Sequence, residues 1–212
     1  MTRFIGMNAE VDFVDPSTTD LPAYKLIVVP GLCAAADAEI ERLNAFAKAG
    51  GHLLYTFKSG LSDENAKVHS ATQPRLIAEA TGVKYNQFTI PDGVSLEADP
   101  YHVGAADNMA RWWMKLLTPT TAAVVAHYHH PVWGEYAAVT RNTYGKGEVT
   151  WVGCMPSAAL TEKRRGKRQA CWALGTATGA PLPDDHAKRS AANEHSVHYI
   201  LNYSAAPVQL TI

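Results

Sequence analysis

Asp63 and Glu64 stand side by side in Ser62-Asp63-Glu64-Asn65-Ala66-Lys67-Val68-His69, a polar stretch that follows the apolar run ending at Phe57. Paired carboxylates cleave glycosidic bonds when they face each other across about 5–9 Å. Adjacent residues reach that separation only in an unusually shaped loop, so a structural loop or a subunit contact is the expectation here. His127, His129 and His130 suggest a metal. On a strand, however, His127 and His129 share one face while His130 points the other way. No cysteine or clear carboxylate partner follows at zinc-site spacing, so the expectation is a histidine cluster without metal, in a chain with no cofactor. Trp112, Trp113, Trp133 and Trp151 offer flat faces to sugar rings, but their separation suits core or subunit-contact anchors. Glu162-Lys163-Arg164-Arg165-Gly166-Lys167-Arg168 is basic, yet 19 basic and 20 acidic residues leave a net charge of -1. That run therefore reads as a solvated helix face, and no nucleic-acid partner is expected.

These residues need elements to position them. Val11 to Val14 predicts a short strand closed by Asp15-Pro16. Tyr24 to Val29 is continuously apolar and β-branched, as in a strand covered on both faces. Asp37 and Glu39 open a helix whose apolar positions are Ile40, Leu43, Phe46 and Ala47, and Gly50-Gly51 ends it. His52 to Phe57 is the next buried strand, giving a βαβ unit of a parallel sheet. Pro74 to Ala80 predicts a helix stopped by Gly82. Residues 86 to 108 are strands and loops of mixed polarity, and Met109 to Leu117 is rich in bulky residues. Ala122 to Tyr128 is a strand; Tyr136 to Arg141 and Glu148 to Val152 flank the hairpin signal Tyr144-Gly145-Lys146-Gly147. A helix is expected from Pro156 to about Thr176, a linker over 181–190, and a terminal hairpin of Val197–Tyr203 with Pro207–Ile212. No apolar run approaches the roughly 18 residues of a membrane span. The start turns polar at Asn8 and Glu10, unlike a signal peptide. The odd set Cys33, Cys154 and Cys171 lacks any CxxC pair and reads as reduced thiols of a cytoplasmic protein.

Three stretches carry a family resemblance: Leu21-Pro22-Ala23-Tyr24-Lys25-Leu26-Ile27-Val28-Val29-Pro30, Thr56-Phe57-Lys58-Ser59-Gly60-Leu61-Ser62-Asp63-Glu64-Asn65, and Val139-Thr140-Arg141-Asn142-Thr143-Tyr144-Gly145-Lys146-Gly147. Together they resemble the trimerisation domain of bacterial family-42 β-galactosidases, over roughly residues 6 to 178. Ser196 to Ser204 resembles the opening of the small β-domain that follows it. The resemblance implies an α/β, flavodoxin-like fold related to class I glutamine amidotransferases, with a short C-terminal β hairpin. It implies domains at 1–180 and 191–212 around the linker. The family's catalytic barrel has no counterpart in the sequence, and the domain's first strand and helix lack one too. In a flavodoxin-like order that strand lies between the second and third, so its absence implies unpaired backbone groups.

Amidotransferase relatedness raises the question of a nucleophile. Cys33 follows an earlier strand than the nucleophile elbow does, and the elbow-equivalent turn, Phe57-Lys58-Ser59-Gly60, has no cysteine and no Gly-x-Ser-x-Gly around Ser59. The resulting reading is a non-catalytic, homotrimeric oligomerisation module of a β-galactosidase that hydrolyses terminal β-galactosides. Its alternatives are a small amidotransferase-like enzyme and a scaffold for a separately encoded barrel. The candidate site is the loop at the strand ends, Lys58, Ser59, Asp63, Glu64 and Asn65, as a subunit contact or the wall of a neighbour's active site. No catalytic residue is assigned.

Overall fold

The computed structural model describes residues 12–15, 18, 20–68 and 73–157, and the backbone of four later strands. In chain order the elements are β1 (Leu26–Val29), α1 (Asp37–Ala49), β2 (His52–Thr56), α2 (Ala78–Thr81), β3 (Val83–Lys84), β4 (Phe88–Thr89) and β5 (Ser95–Leu96). Then follow β6 (Ala110–Lys115), β7 (Thr118–Pro119), β8 (Ala123–His129), β9 (Ala137–Tyr144), β10 (Gly147–Val152) and β11 (Cys154–Pro156). The later strands are β12 (Lys163–Arg165), β13 (Arg168–Ala170), β14 (His186–Ser190) and β15 (Ser196–Ile200).

Among the described residues the main sheet has six strands in the order β1-β2-β10-β9-β8-β5. β1 and β2 pair in parallel with Leu26 opposite His52, and β10 continues the parallel run on the other side of β2. β9, β8 and β5 are added antiparallel. The α/β class holds, but the sheet is mixed where a parallel sheet was expected. The reason is local: Gly145-Lys146 turns β9 directly into β10, and a two-residue connection can only join antiparallel strands. Gly145 has φ +61, and a Cβ there would lie 2.5 Å from the Lys48 carbonyl oxygen, so the turn seats closely on the end of α1. Among the described residues β1 is the outer strand of this sheet.

α1 begins where Glu39 accepts a hydrogen bond from the Ala36 N–H at 3.0 Å, and ends at Gly50. Its buried face, Ile40, Leu43, Phe46 and Ala47, meets Ile27, Val29, Leu53, Tyr55, Val149 and Trp151 from the sheet. A second core lies on the sheet's other side, built from Leu54, Met114, Leu116, Tyr128, Val139 and Val152.

Several expectations need correction. Residues 12–15 form no strand, and Phe13 is 80% exposed; a short apolar run is not stable as a strand without a neighbour to pair with. The helix expected over 74–80 is confined to Ala78–Thr81, behind turns that follow Pro74, although Gly82 does stop it in the left-handed region at φ 64. The expected helix from Pro156 is interrupted by strands: Cys154–Pro156 pairs with β6, and β12 pairs with β13. Gly166 falls between those last strands in sequence, and glycine costs a helix interior about 1 kcal/mol. The basic run at 162–168 therefore contributes strand residues in place of a helix face. The terminal hairpin joins β14 to β15, with His186 opposite Ile200. Its first strand lies in the stretch read as linker, and the alternative partner 207–212 is outside the described residues, as is Cys171.

Candidate functional site

The loop after β2 is fixed to the segment before α1. Gly60 N–H donates to the Leu32 carbonyl at 2.9 Å, Ser62 N–H donates to the Cys33 carbonyl at 3.0 Å, and Ala34 bridges Ser62 in parallel. Ser59 is fully buried, and its hydroxyl donates to the Val29 carbonyl at 3.4 Å. A hydroxyl enclosed in this way supports the turn and is not presented to a substrate. Asp63 is occupied as well: its Oδ1 accepts from the N–H groups of Asn65 (3.0 Å) and Lys67 (2.9 Å), an Asx turn that shapes the loop. Glu64 and Asn65 are exposed at the tip. Lys58 leans the other way and places its ammonium 4.3 Å from the centre of the Trp113 ring. The five candidate residues thus divide into two supports, Ser59 and Asp63, and three side chains facing outward.

Lys58 leads to a surface that the sequence reading did not assemble. β6 is irregular against β11: Met114 faces Cys154, but Arg111 faces Met155, so Trp112 and Trp113 are extra residues with no opposite number. Such a bulge re-aims side chains. Trp112 is 75% exposed and adopts φ +62, a left-handed conformation that is rare for a bulky residue. Trp113 stacks on Phe88 of β4 with ring centres 4.4 Å apart and planes 18° apart.

Behind this surface lies Lys115, fully buried, with its ammonium 3.6 Å from the centre of the Tyr85 ring and 5.4 Å from that of Trp151. Burial pulls its pKa down to about 7, and Cys33 partly opposes that shift. Nothing in the sequence pattern set this lysine apart from a surface one.

His127 and His129 lie on β8, but the strand ends at His129, so His130 is not on its opposite face as the strand reading expected. Ala126 and Tyr128 are buried while His127 is half-buried and His129 exposed. His130 follows the strand; its Nδ1 accepts from the N–H groups of Val132 (3.1 Å) and Trp133 (3.2 Å), and its ring stacks on Trp133 at 4.3 Å. Among the described residues no three His, Cys, Asp or Glu side chains converge as a metal site requires. No described helix is long and apolar enough to cross a membrane.

Comparison with known proteins decides the family. The profile of the β-galactosidase trimerisation domain matches residues 2–176. The chain belongs to that family. Among curated relatives, β-galactosidase BgaB of Geobacillus sp. strain Y412MC61 is 32% identical over 151 residues, covering 71% of this chain and 22% of that protein. β-Galactosidase BgaH of Haloferax lucentense is 26% identical over 204 residues, covering 96% of this chain and 29% of that protein. The trimerisation-domain chain thus spans between a fifth and a third of the length of these relatives. Of solved structures, the β-galactosidase of Halorubrum lacusprofundi superposes with a TM-score of 0.64 at 26% identity, over 75% of this chain and 23% of that one. The Rahnella sp. R3 β-galactosidase, at TM-score 0.65 and 21% identity over 88% of this chain and 28% of that one, shares the fold.

Proposed function

We propose that this trimerisation-domain chain is a non-catalytic module that assembles β-galactosidase subunits into a homotrimer. The observation that carries the reading is the span of the match, residues 2–176 to a domain described by its role in assembly. The burial of Ser59 and the engagement of Asp63 with its own loop support a role outside the chemistry. In this reading a β-galactosidase barrel supplies the catalytic carboxylates that hydrolyse terminal β-galactosides. Lys58, Glu64 and Asn65 face a neighbouring subunit, with Ser59 and Asp63 holding their loop. The parallel strands β1, β2 and β10 with α1 packed on them support a flavodoxin-like core of the class I glutamine amidotransferase kind. The unpaired thiols of Cys33 and Cys154 fit a reducing, cytoplasmic setting.

The test is the solution mass of the purified chain by size-exclusion chromatography with light scattering. A species of three times 23.0 kDa supports the module. A monomer at every concentration tried rejects it, and so does turnover of a chromogenic β-galactoside by the chain alone.

A further inference from the structure

Between β8 and β9 the chain makes a single α-turn, and His130 stands at its head. The His130 carbonyl accepts from the Gly134 N–H at 2.9 Å, closing the turn over Pro131, Val132 and Trp133. Pro131 has no N–H and a fixed φ, which suits the first position inside such a turn. The next two N–H groups, those of Val132 and Trp133, both donate to His130 Nδ1, at 3.1 and 3.2 Å. That is the geometry of a capping side chain, a role usually filled by the oxygen of Asn, Asp, Ser or Thr. The half-buried ring is backed by Trp133, stacked on it with centres 4.3 Å apart and planes 16° apart.

An imidazole differs from those oxygens in one respect: it changes charge near neutral pH. A nitrogen that accepts two N–H groups carries no proton, so the capping ring is neutral with its proton on Nε2. Protonation makes Nδ1 a donor, which removes the cap and sets three N–H groups against one another. The charged ring gains from the face of Trp133, but one such contact is weaker than two hydrogen bonds. Other titratable groups stand on the elements around the turn. His129 and Glu135 flank it, Glu97 follows β5, and Asp99, Tyr101 and His102 lie on the loop that shares the second core with Trp133. Among the described residues no ion pair or hydrogen bond joins any of them to the His130 ring. We propose that His130 is an acid-operated latch, whose protonation opens the turn that seats Trp133 on the second core.

The experiment follows backbone and ring nitrogens of the full chain by NMR between about pH 8 and pH 5, the range in which an imidazole changes charge. In the wild type, protection of the Val132 and Trp133 amides, corrected for intrinsic exchange, is expected to fall at least about tenfold across that range. This is the equivalent of about one lost hydrogen bond. His130→Asn places an amide oxygen where Nδ1 stood and does not titrate, so the same amides should stay protected throughout. His130→Leu should leave them unprotected at both ends of the range. Wild-type amides that keep their protection at the acid end would overturn the proposal. So would a pH response that persists in His130→Asn, because it would belong to His129, His102 or Glu135. A readout on the wild type stands even where the variants do not fold. At the alkaline end the His130 ring nitrogens should report a proton on Nε2, and a proton on Nδ1 rejects the latch.

Discussion

The ammonium of Lys115 sits 3.6 Å above the ring of Tyr85, inside the core and with no hydrogen-bond acceptor among the described residues. An amine in that position is costly to charge. Burial lowers its pKa from 10.5 to about 7, and the two ring faces return part of the lost hydration.

The sign of the pH dependence follows. Between pH 7 and 10.5 the unfolded chain holds a proton that the folded chain tends to release, so this group's contribution to stability rises with pH. Lys115→Met is expected to raise the unfolding free energy at pH 7 by about 1–3 kcal/mol. The gap between variant and wild type should narrow at pH 9. Comparing the two proteins cancels the other titrations. Staying at or below pH 9 limits the contribution of Cys154, whose thiol is pushed up to about 12 and whose stabilisation is lost as pH rises above the ordinary thiol range. Urea denaturation at pH 7, 8 and 9 measures this, and a pH-independent gap would refute it.

Asn142 ties β9 to the end of α2. Its side-chain amide donates to the carbonyls of Ala80 (3.0 Å) and Glu79 (3.3 Å), and its Oδ1 accepts from the Thr121 hydroxyl at 3.2 Å. Those carbonyls belong to the last turn of a helix and have no partner within it. Asn142→Ala is expected to cost about 1–3 kcal/mol through the carbonyls left unsatisfied. Urea midpoints at constant slope check this, and a loss under about 0.5 kcal/mol would mean that water replaces the amide.

The β1–α1–β2 unit was legible because each signal has a local cause: an apolar run, a helical repeat of Ile40, Leu43 and Phe46, and Gly50 at the stop. The β9–β10 hairpin was legible for the same reason, through Gly145-Lys146. The loop carrying Lys58 and Asp63 was also located from sequence, since it follows a buried strand. What escaped depends on partners far along the chain. Phe88 meets Trp113 only because β4 pairs with β6, and Lys115 lies in the core because β6 runs past Tyr85 and Trp151. Likewise β15 takes β14 as its neighbour, a choice of register no local pattern announces.

Trp112 pays a backbone penalty for its position. Its φ of +62 suits glycine or asparagine, and tertiary packing of the bulge must hold it there. Trp112→Gly is expected to leave the monomer as stable as wild type or more stable by about 1 kcal/mol. Thermal melts at protein concentrations below assembly test this. A clear destabilisation would show that the indole, despite being 75% exposed, supports the fold of the isolated chain.

Asp63 and Glu64 are neighbours with different duties, and two alanine variants separate them. Asp63 gathers two loop N–H groups, and its own N–H donates to the Lys67 carbonyl at 3.1 Å, while Ala66 adopts φ 62 within the same turn. Asp63→Ala removes the acceptor that holds this turn closed, so exchange of the Asn65 and Lys67 amides should quicken at least about tenfold, the equivalent of losing one charge-assisted hydrogen bond. Glu64 is exposed, and Glu64→Ala should leave those amides and the melting temperature unchanged. If the loop also faces a neighbouring subunit, Glu64→Ala changes the trimer dissociation constant without touching the fold. An effect of Asp63→Ala on exchange, with no effect of Glu64→Ala on association, would keep the turn as structure and remove the loop tip from the interface.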